Sequence, residues 1–170
     1  MKLIFASMLF VTLLPVASLG QQESFPEMLK LAREGKAWAQ NEVGLMYSNG
    51  EGVGRNRKKA VYWLRKSANQ GFPLGACSLS YHYGHGWGVK RDKVLMVKWV
   101  LIGEFLDPLR CGSEAAKLLK PSECQVARGE ELAVAWLKAH PEQKNNFGDQ
   151  PWMKDDLKKF EDVRKKKCGG

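Results

Sequence analysis

Apolar side chains recur at helical spacing near the start of the chain. In the first such stretch they are Ala39, Val43, Leu45, Met46 and Tyr47. The glycine-bearing segment SNGEGVGRN ends this predicted helix, and a second helical pattern, KKAVYWLRKSA, follows it. No stretch alternates with a period of two for long enough to predict a sheet, so the pattern predicts an all-α protein.

The hydrophobic pattern repeats with a period of 36 residues. The identities in phase are Ala32 with Ala68, Gly35 with Gly71, Tyr47 with Tyr83, Gly50 with Gly86, Gly52 with Gly88, Val53 with Val89 and Trp63 with Trp99. Periods of about 20 to 50 residues are typical of solenoids. A single helical hairpin cannot bury both of its apolar faces, so we predict that neighbouring hairpins stack.

Each predicted turn carries paired glycines and ends at a residue suited to cap the next helix. Glycine adopts positive φ without strain, and Asn or Asp side chains accept hydrogen bonds from the amides of a first helical turn. The predicted turn and cap residues are Gly50, Gly52 and Asn56 in one unit and Gly86, Gly88 and Asp92 in the next.

These segments carry a family resemblance. AWAQNEVGLMYSNGEGVGRNRKKAVYWLRKSANQG resembles a Sel1-like repeat, a relative of the tetratricopeptide repeat, and GACSLSYHYGHGWGVKRDKVLMVKWVLIG resembles a second. LKPSECQVARGEELAVAWLKAHP is similar to the closing helix of short bacterial Sel1 arrays. The resemblance implies a right-handed α-solenoid of about three repeats, at approximately 28–59, 60–95 and 96–141, with a C-terminal capping helix.

The two ends of the chain lie outside this pattern. Residues 1–20 contain an apolar run, with the small residues Ser18 and Gly20 before the expected cleavage site, and this is typical of a secretory signal peptide. A retained membrane anchor is the alternative, for which the run is short. The array is then expected within 21–141, followed over 142–170 by a linker and a basic amphipathic helix docked on the last repeat or on a membrane.

Composition limits the possible classes of protein. With 44% hydrophobic and 26% charged residues, the chain is neither a disordered tail nor a multi-span membrane protein. The net charge of +9 raises nucleic acid as a partner, but an exported protein meets lipid, peptidoglycan or other proteins far more often. We therefore expect no nucleic-acid partner and no stable membrane anchor after cleavage, and the oligomeric state stays open.

Catalytic and metal-binding motifs are weak. The sequence contains no Ser-x-x-Lys, Gly-x-Ser-x-Gly or His-Glu-x-x-His motif. His82 and His85, with Cys77 upstream, are candidate metal ligands, but zinc requires further ligands and the remaining histidine is His140. We expect a non-enzymatic protein without a metal or cofactor.

The four cysteines admit three connectivities if all of them pair. Cys77 lies near the start of one predicted helix and Cys111 follows the end of its antiparallel partner, so the hairpin brings the two to the same level. An intervening helix would separate Cys111 from Cys124 by roughly 10 Å, beyond the reach of a disulfide. Cys168 can pair with Cys124, remain free or bridge two chains.

In this architecture the first helix of each unit lines a concave face that binds peptides or protein segments. Trp63 and Trp99 lie on second helices and are expected in the core. The predicted partner-binding residues are Trp38, Asn41, Leu45, Ser48, Leu74, Cys77, Tyr81 and His85, with Trp87 in the adjoining turn.

The resemblance also implies a range of functions. Sel1-like proteins include adaptors and regulators, and some short exported bacterial members are immunity proteins that neutralise lipase toxins in the periplasm. The leading hypothesis is therefore an exported protein–protein interaction module, and an adaptor that recognises the cell envelope or peptidoglycan is the alternative. A secreted enzyme that binds or hydrolyses β-lactams is the third interpretation, which the absent catalytic serine motif disfavours.

Overall fold

A computed structural model of the protein describes residues 24–107, 109, 111, 119–143, 165, 166 and 168. Within this part the chain forms α-helices and no strand, which confirms the all-α prediction. The expected signal peptide and most of residues 142–170 lie outside the described residues. The elements are α1 (Phe25–Arg33), α2 (Ala37–Asn49), α3 (Arg57–Asn69), α4 (Pro73–His85), α5 (Lys93–Leu106), α6 (Glu123–Ala139) and a 3-10 helix (Pro141–Gln143).

Each helix packs on its neighbours in the chain, from α1 through to α6, and α2 also contacts α4. This nearest-neighbour arrangement is that of an α-solenoid. The hairpins α2–α3 and α4–α5 correspond to the repeating units. The approximate unit boundaries predicted after residues 59 and 95 fall inside α3 and α5, so the hairpins themselves begin at Ala37 and Pro73.

Helix α1 was not singled out by the hydrophobic pattern. It begins at a capping box, in which the Ser24 amide and hydroxyl both donate to a Glu27 carboxylate oxygen, at 3.0 and 2.7 Å. Its buried residues Met28 and Ala32 cover the start of α2, and the Phe25 ring meets the Tyr47 ring edge-on. By the 36-residue period α1 matches the end of α3, so it occupies the place of the second helix of a preceding hairpin.

The turns are held by glycine and by side-chain caps. Gly50 and Gly86 end α2 and α4 with φ of 86° and 73°, in the left-handed region. Asn56 Oδ1 accepts the amide of the third residue of α3 at 3.0 Å, and Asp92 Oδ1 accepts two amides of α5 at 2.9 and 3.0 Å. A Cβ at Gly88 would collide with the main chain of Arg57, so this turn approaches the preceding hairpin closely.

The core runs between the hairpins. Leu64, Leu79, Met96 and Ile102 are fully buried and belong to one cluster that joins α3, α4, α5 and α6. Trp63 and Trp99 are buried, as their repeat-equivalent positions predict. The core therefore continues from hairpin to hairpin, as stacking requires.

Two disulfides connect the helices to chain segments that follow them. Cys77 in α4 is bonded to Cys111, which lies just beyond α5, with Cα atoms 5.7 Å apart. Cys124 in the first turn of α6 is bonded to Cys168, with Cα atoms 5.1 Å apart. Of the three fates left open for Cys168, the structure therefore has the bond to Cys124.

Candidate functional site

The first helices of the two hairpins, α2 and α4, lie side by side and leave an open groove of about 370 Å³ between them. Trp87, in the turn after α4, closes one end. We call this feature the inter-repeat groove. Its lining residues are Leu45, Ser48, Asn49, Cys77, Ser78, Tyr81, His82 and Trp87.

Three aromatic side chains gather at one end of the groove. The Tyr81 ring lies 4.1 Å from the His85 ring and 5.3 Å from the Trp87 ring, and the His85 and Trp87 centroids are 5.0 Å apart. Tyr81 is 41% exposed although it makes both contacts. We call these three residues the aromatic cluster. It presents apolar surface to solvent in a geometry that neighbouring rings already fix.

Arg57, the first residue of α3, supports the cluster from behind. Its guanidinium lies 4.2 Å from the centroid of the Trp87 ring, within the range of a cation–π contact. Its Nε is buried and has no hydrogen-bond partner in the described part of the chain, so this group faces the indole rather than another polar atom. The contact joins the first hairpin to the turn that ends the groove.

A buried histidine forms the polar floor of the groove. His82 Nδ1 lies 2.8 Å from the carbonyl oxygen of Trp87, and its Nε2 lies 3.2 Å from the Ser48 hydroxyl. A carbonyl can only accept, so Nδ1 carries the proton and Nε2 accepts from Ser48. Burial lowers the pKa of His82, and the nearby Arg57 lowers it further against the opposing effect of the Trp87 carbonyl. The imidazole is therefore neutral at pH 7.

This Ser–His pair has the connectivity of a nucleophile and its base, but it lacks the rest of that chemistry. A backbone carbonyl, which carries no full charge, stands where a carboxylate would stabilise an imidazolium. Ser48 and His82 are also only 7% and 3% exposed. The arrangement is better suited to tying α2 to α4 and to the Trp87 turn than to attacking a substrate.

A second hydrogen bond joins the same two helices further along the groove. The Ser78 hydroxyl of α4 donates to Asn41 Oδ1 of α2 at 3.2 Å, and Asn41 Nδ2 donates to Glu42. Asn41 is 1% exposed. Asn41 and Ser48, which were expected to face a partner, are both buried and form hydrogen bonds to the next hairpin, although Ser48 also lines the groove.

The structure places the other predicted residues at different distances from the groove. Leu45, Cys77, Tyr81 and Trp87 line it, and the exposed His85 ring stacks beside Tyr81. Trp38 is 42% exposed and lies seven residues before Leu45 on α2, whereas Leu74 is half-buried and lies three residues before Cys77 on α4. Along the helix axes these separations are about 10 Å and about 4.5 Å, so Leu74 adjoins the groove and Trp38 lies beyond it.

Four residues of the site were not predicted as such. Asn49, Ser78 and His82 line the groove, and Arg57 supports Trp87. The only prior signal was for His82, which the sequence presented as a candidate metal ligand. Among the residues that the structure describes, no group of three or more His, Cys, Asp and Glu side chains is placed to hold a metal ion.

No described helix is both long and apolar enough to cross a membrane.

The two hairpins are similar to repeats of known proteins. A family model described as the Sel1 repeat matches residues 39–72, from the third residue of α2, and 73–99, from the start of α4. The fold is similar to that of a protective antigen of uropathogenic Escherichia coli with an SLR fold, at 28% identity and a TM-score of 0.65 over 70% of this chain. This chain spans only 26% of that antigen.

A Sel1 repeat protein from Oxalobacter formigenes is also similar, at 24% identity over 79% of this chain and 96% of that one, with a TM-score of 0.45. A search of the curated proteins finds no match.

Proposed function

Because this chain is a Sel1-repeat protein whose hairpins stack as an α-solenoid, we propose that it is a non-enzymatic protein–protein interaction module. In this proposal the inter-repeat groove receives a segment of the partner. The observation that carries the proposal is the exposed aromatic cluster at the end of a groove between two first helices. Concave surfaces built from such helices bind extended or helical segments in repeat proteins.

The aromatic side chains of the groove are preorganised for binding. Binding energy in protein interfaces is concentrated in a few aromatic and arginine side chains that fill desolvated sites. Tyr81 and Trp87 are already held by ring contacts, and Trp87 is also held by Arg57, so little side-chain freedom is lost when a partner binds. The groove volume of about 370 Å³ is within the range of small-ligand pockets. An apolar partner side chain between Leu45 and Tyr81 would use it.

We further propose a specific role, in which the protein is exported and acts as a periplasmic immunity protein that neutralises a lipase-type toxin. Export is supported by the signal-peptide pattern of residues 1–20 and by two disulfides, which persist in oxidising compartments. A small module that blocks a toxin needs only a rigid surface. The groove offers such a surface, because the rings of its aromatic cluster hold one another in place.

The test is to purify the oxidised protein, capture partners from periplasmic extract, and titrate the captured partner with two tyrosine variants. Tyr81→Ala removes the centre of the aromatic cluster, whereas Tyr62→Ala removes a tyrosine that is 53% exposed on α3, away from the groove. We expect Tyr81→Ala to weaken binding about 30-fold, which corresponds to roughly 2 kcal/mol. Tyr62→Ala should bind as tightly as the parent.

The identity of the captured partner tests the proposal that the protein is an immunity protein. Inhibition of a captured lipase by one equivalent of parent protein, lost in Tyr81→Ala and kept in Tyr62→Ala, is the expected result for an immunity protein. Capture of an envelope-assembly protein or peptidoglycan in its place contradicts the toxin assignment. Equal binding by the parent and both variants contradicts the groove itself.

A further inference from the structure

A second cleft lies on the other side of α4. Tyr83, which lines it, is two residues after Tyr81 and therefore about 200° away around the helix. The cleft is open and has a volume of about 680 Å³. It is bounded by α3, by the turn between α4 and α5, and by the start of α6, which contributes Gln125. We call it the basic cleft.

Positive charge dominates the lining of the basic cleft. Four cationic side chains, Arg65, Lys90, Arg91 and Lys93, contribute to it, against one carboxylate, that of Asp92. An Asp92 oxygen is already occupied, because it accepts the two amides at the start of α5. The lining therefore has an excess of three positive charges, and its carboxylate is used as a helix cap.

Two of the cations are held in place by uncharged groups. Arg65 donates twice to the Tyr83 hydroxyl, from Nη2 at 2.7 Å and from Nε at 3.2 Å. Lys93 Nζ donates to the main-chain carbonyl of Lys120 at 2.9 Å. Neither partner carries a negative charge, so these bonds orient the cations without neutralising them.

The other two cations stand on a turn whose path is fixed. Lys90 and Arg91 are exposed, and their side chains make no hydrogen bond to another residue of the described part of the chain. The turn is anchored where the Asp92 amide donates to the Tyr83 carbonyl at 2.9 Å. The fixed backbone therefore keeps these two charges beside the cleft, while their exposed side chains can adjust to a ligand.

We propose that the basic cleft is a binding site for a carboxylate-rich segment of a protein. Four cations distributed around an open cleft exceed what one small anion can contact, whereas successive Asp or Glu side chains can reach several of them. The cleft also contains apolar surface from Val89 and Leu95, which suits an apolar side chain between the carboxylates. Because the cleft lies on the other face of α4, the proposal goes beyond the groove and does not rest on it.

The probe is a fluorescein-labelled twelve-residue peptide of alternating Glu and Asp with one central Leu, compared with the matched peptide in which Gln and Asn replace the acids. Anisotropy is measured in about 100 mM and about 300 mM NaCl. Exposed ion pairs each contribute a factor of about 1.5 to 5 in affinity and are screened by salt. We expect the acidic peptide alone to bind, and to bind several-fold more weakly at the higher salt concentration.

Two double variants with the same change in net charge locate the site. One variant, Lys90→Glu with Arg91→Glu, reverses two charges of the basic cleft. The control, Lys30→Glu with Lys36→Glu, reverses two exposed charges, one in α1 and one just before α2. We expect the cleft variant to bind at least about 10-fold more weakly, by loss of two pairs and gain of repulsion, and the control to stay within about two-fold. Melting curves establish that both are folded. Tyr81→Ala should bind the acidic peptide unchanged.

Other outcomes overturn the proposal. Equal weakening in the two double variants means that net charge, and not the cleft, attracts the peptide. Equal binding of the amide peptide means that carboxylates are not recognised. Inorganic tripolyphosphate that displaces the peptide and itself binds more tightly identifies a phosphate site in place of an acidic protein segment.

Discussion

Gly52 and Gly88 occupy the same position in successive hairpins, yet their surroundings predict very different costs for the same substitution. Both have positive φ, 65° and 73°. A Cβ at Gly52 would come to 3.3 Å from the Phe25 Cβ and 3.6 Å from the Met46 methyl, both of them side-chain atoms. A Cβ at Gly88 would collide with the main-chain carbonyl of Arg57. The pair therefore separates backbone strain from a collision between hairpins.

The magnitudes follow from these two terms. Alanine in the left-handed region costs about 1 to 2 kcal/mol, and this applies to both Gly52→Ala and Gly88→Ala. Overlap with the main chain of Arg57 costs roughly 1 to 3 kcal/mol more at Gly88, whereas the 3.3 Å contact at Gly52 is tight without overlapping. We expect Gly88→Ala to be less stable than Gly52→Ala by about 1 to 3 kcal/mol, since the main chain of Arg57 can move only with α3.

Urea denaturation followed by tryptophan fluorescence measures the difference directly. The midpoint should fall more for Gly88→Ala, with the slope unchanged if unfolding stays two-state. In thermal melts each kcal/mol corresponds to about 2 to 4 °C for a domain of this size. Equal destabilisation by the two substitutions would refute the reasoning, because it would mean that backbone strain alone accounts for both glycines.

Two further predictions concern the buried histidine and a disulfide. Since burial lowers the folded-state pKa of His82, the unfolded chain binds more protons below its ordinary value of 6.5, and stability should decrease as the pH falls below that value. Denaturation of the parent and of His82→Gln between about pH 7.5 and 5 checks this, and an equal pH dependence in both would contradict it. Replacing Cys77 and Cys111 together by Ser removes a crosslink that spans 34 residues, and should lower the free energy of unfolding by about 2 to 4 kcal/mol. An unchanged urea midpoint would show that the crosslink does not restrict the unfolded chain.

Local features of the fold could be predicted from sequence because they depend on nearby residues. Asn56 and Asp92 cap helices through bonds to amides two or three residues away, and the pattern around them repeats with the 36-residue period. Helix α1 had a local signal as well, the Ser24 and Glu27 capping box, but no glycine turn before it marked a repeat. The 36-residue period and the capping residues therefore predicted the two hairpins, whereas α1 was missed.

The site was harder to predict because it depends on how one hairpin is placed on the next. Asn41 and Ser48 are polar and were expected on the partner-binding face, but stacking brings Ser78 and His82 opposite them, and Asn41, Ser48 and His82 are buried. The residues of each pair are 37 and 34 residues apart in the sequence, close to one 36-residue repeat. The period therefore predicts which residues lie opposite one another. The depth of burial is a tertiary property that the pattern of one helix does not contain.

The position of the inter-repeat groove between two first helices has a consequence for valency. A groove of this kind belongs to no single repeat, since Leu45 comes from one hairpin and Tyr81 from the next. Each hairpin added in tandem therefore adds one groove, but only a copy of both hairpins, residues 37–106, repeats the aromatic cluster, since Leu45, Asn49 and Glu51 stand at the positions of Tyr81, His85 and Trp87 in the first hairpin. A chain with that extra copy would present this groove twice at a fixed spacing. A partner with two matching segments would then bind with an affinity set by effective concentration, so lengthening the array can tighten binding without altering a single contact.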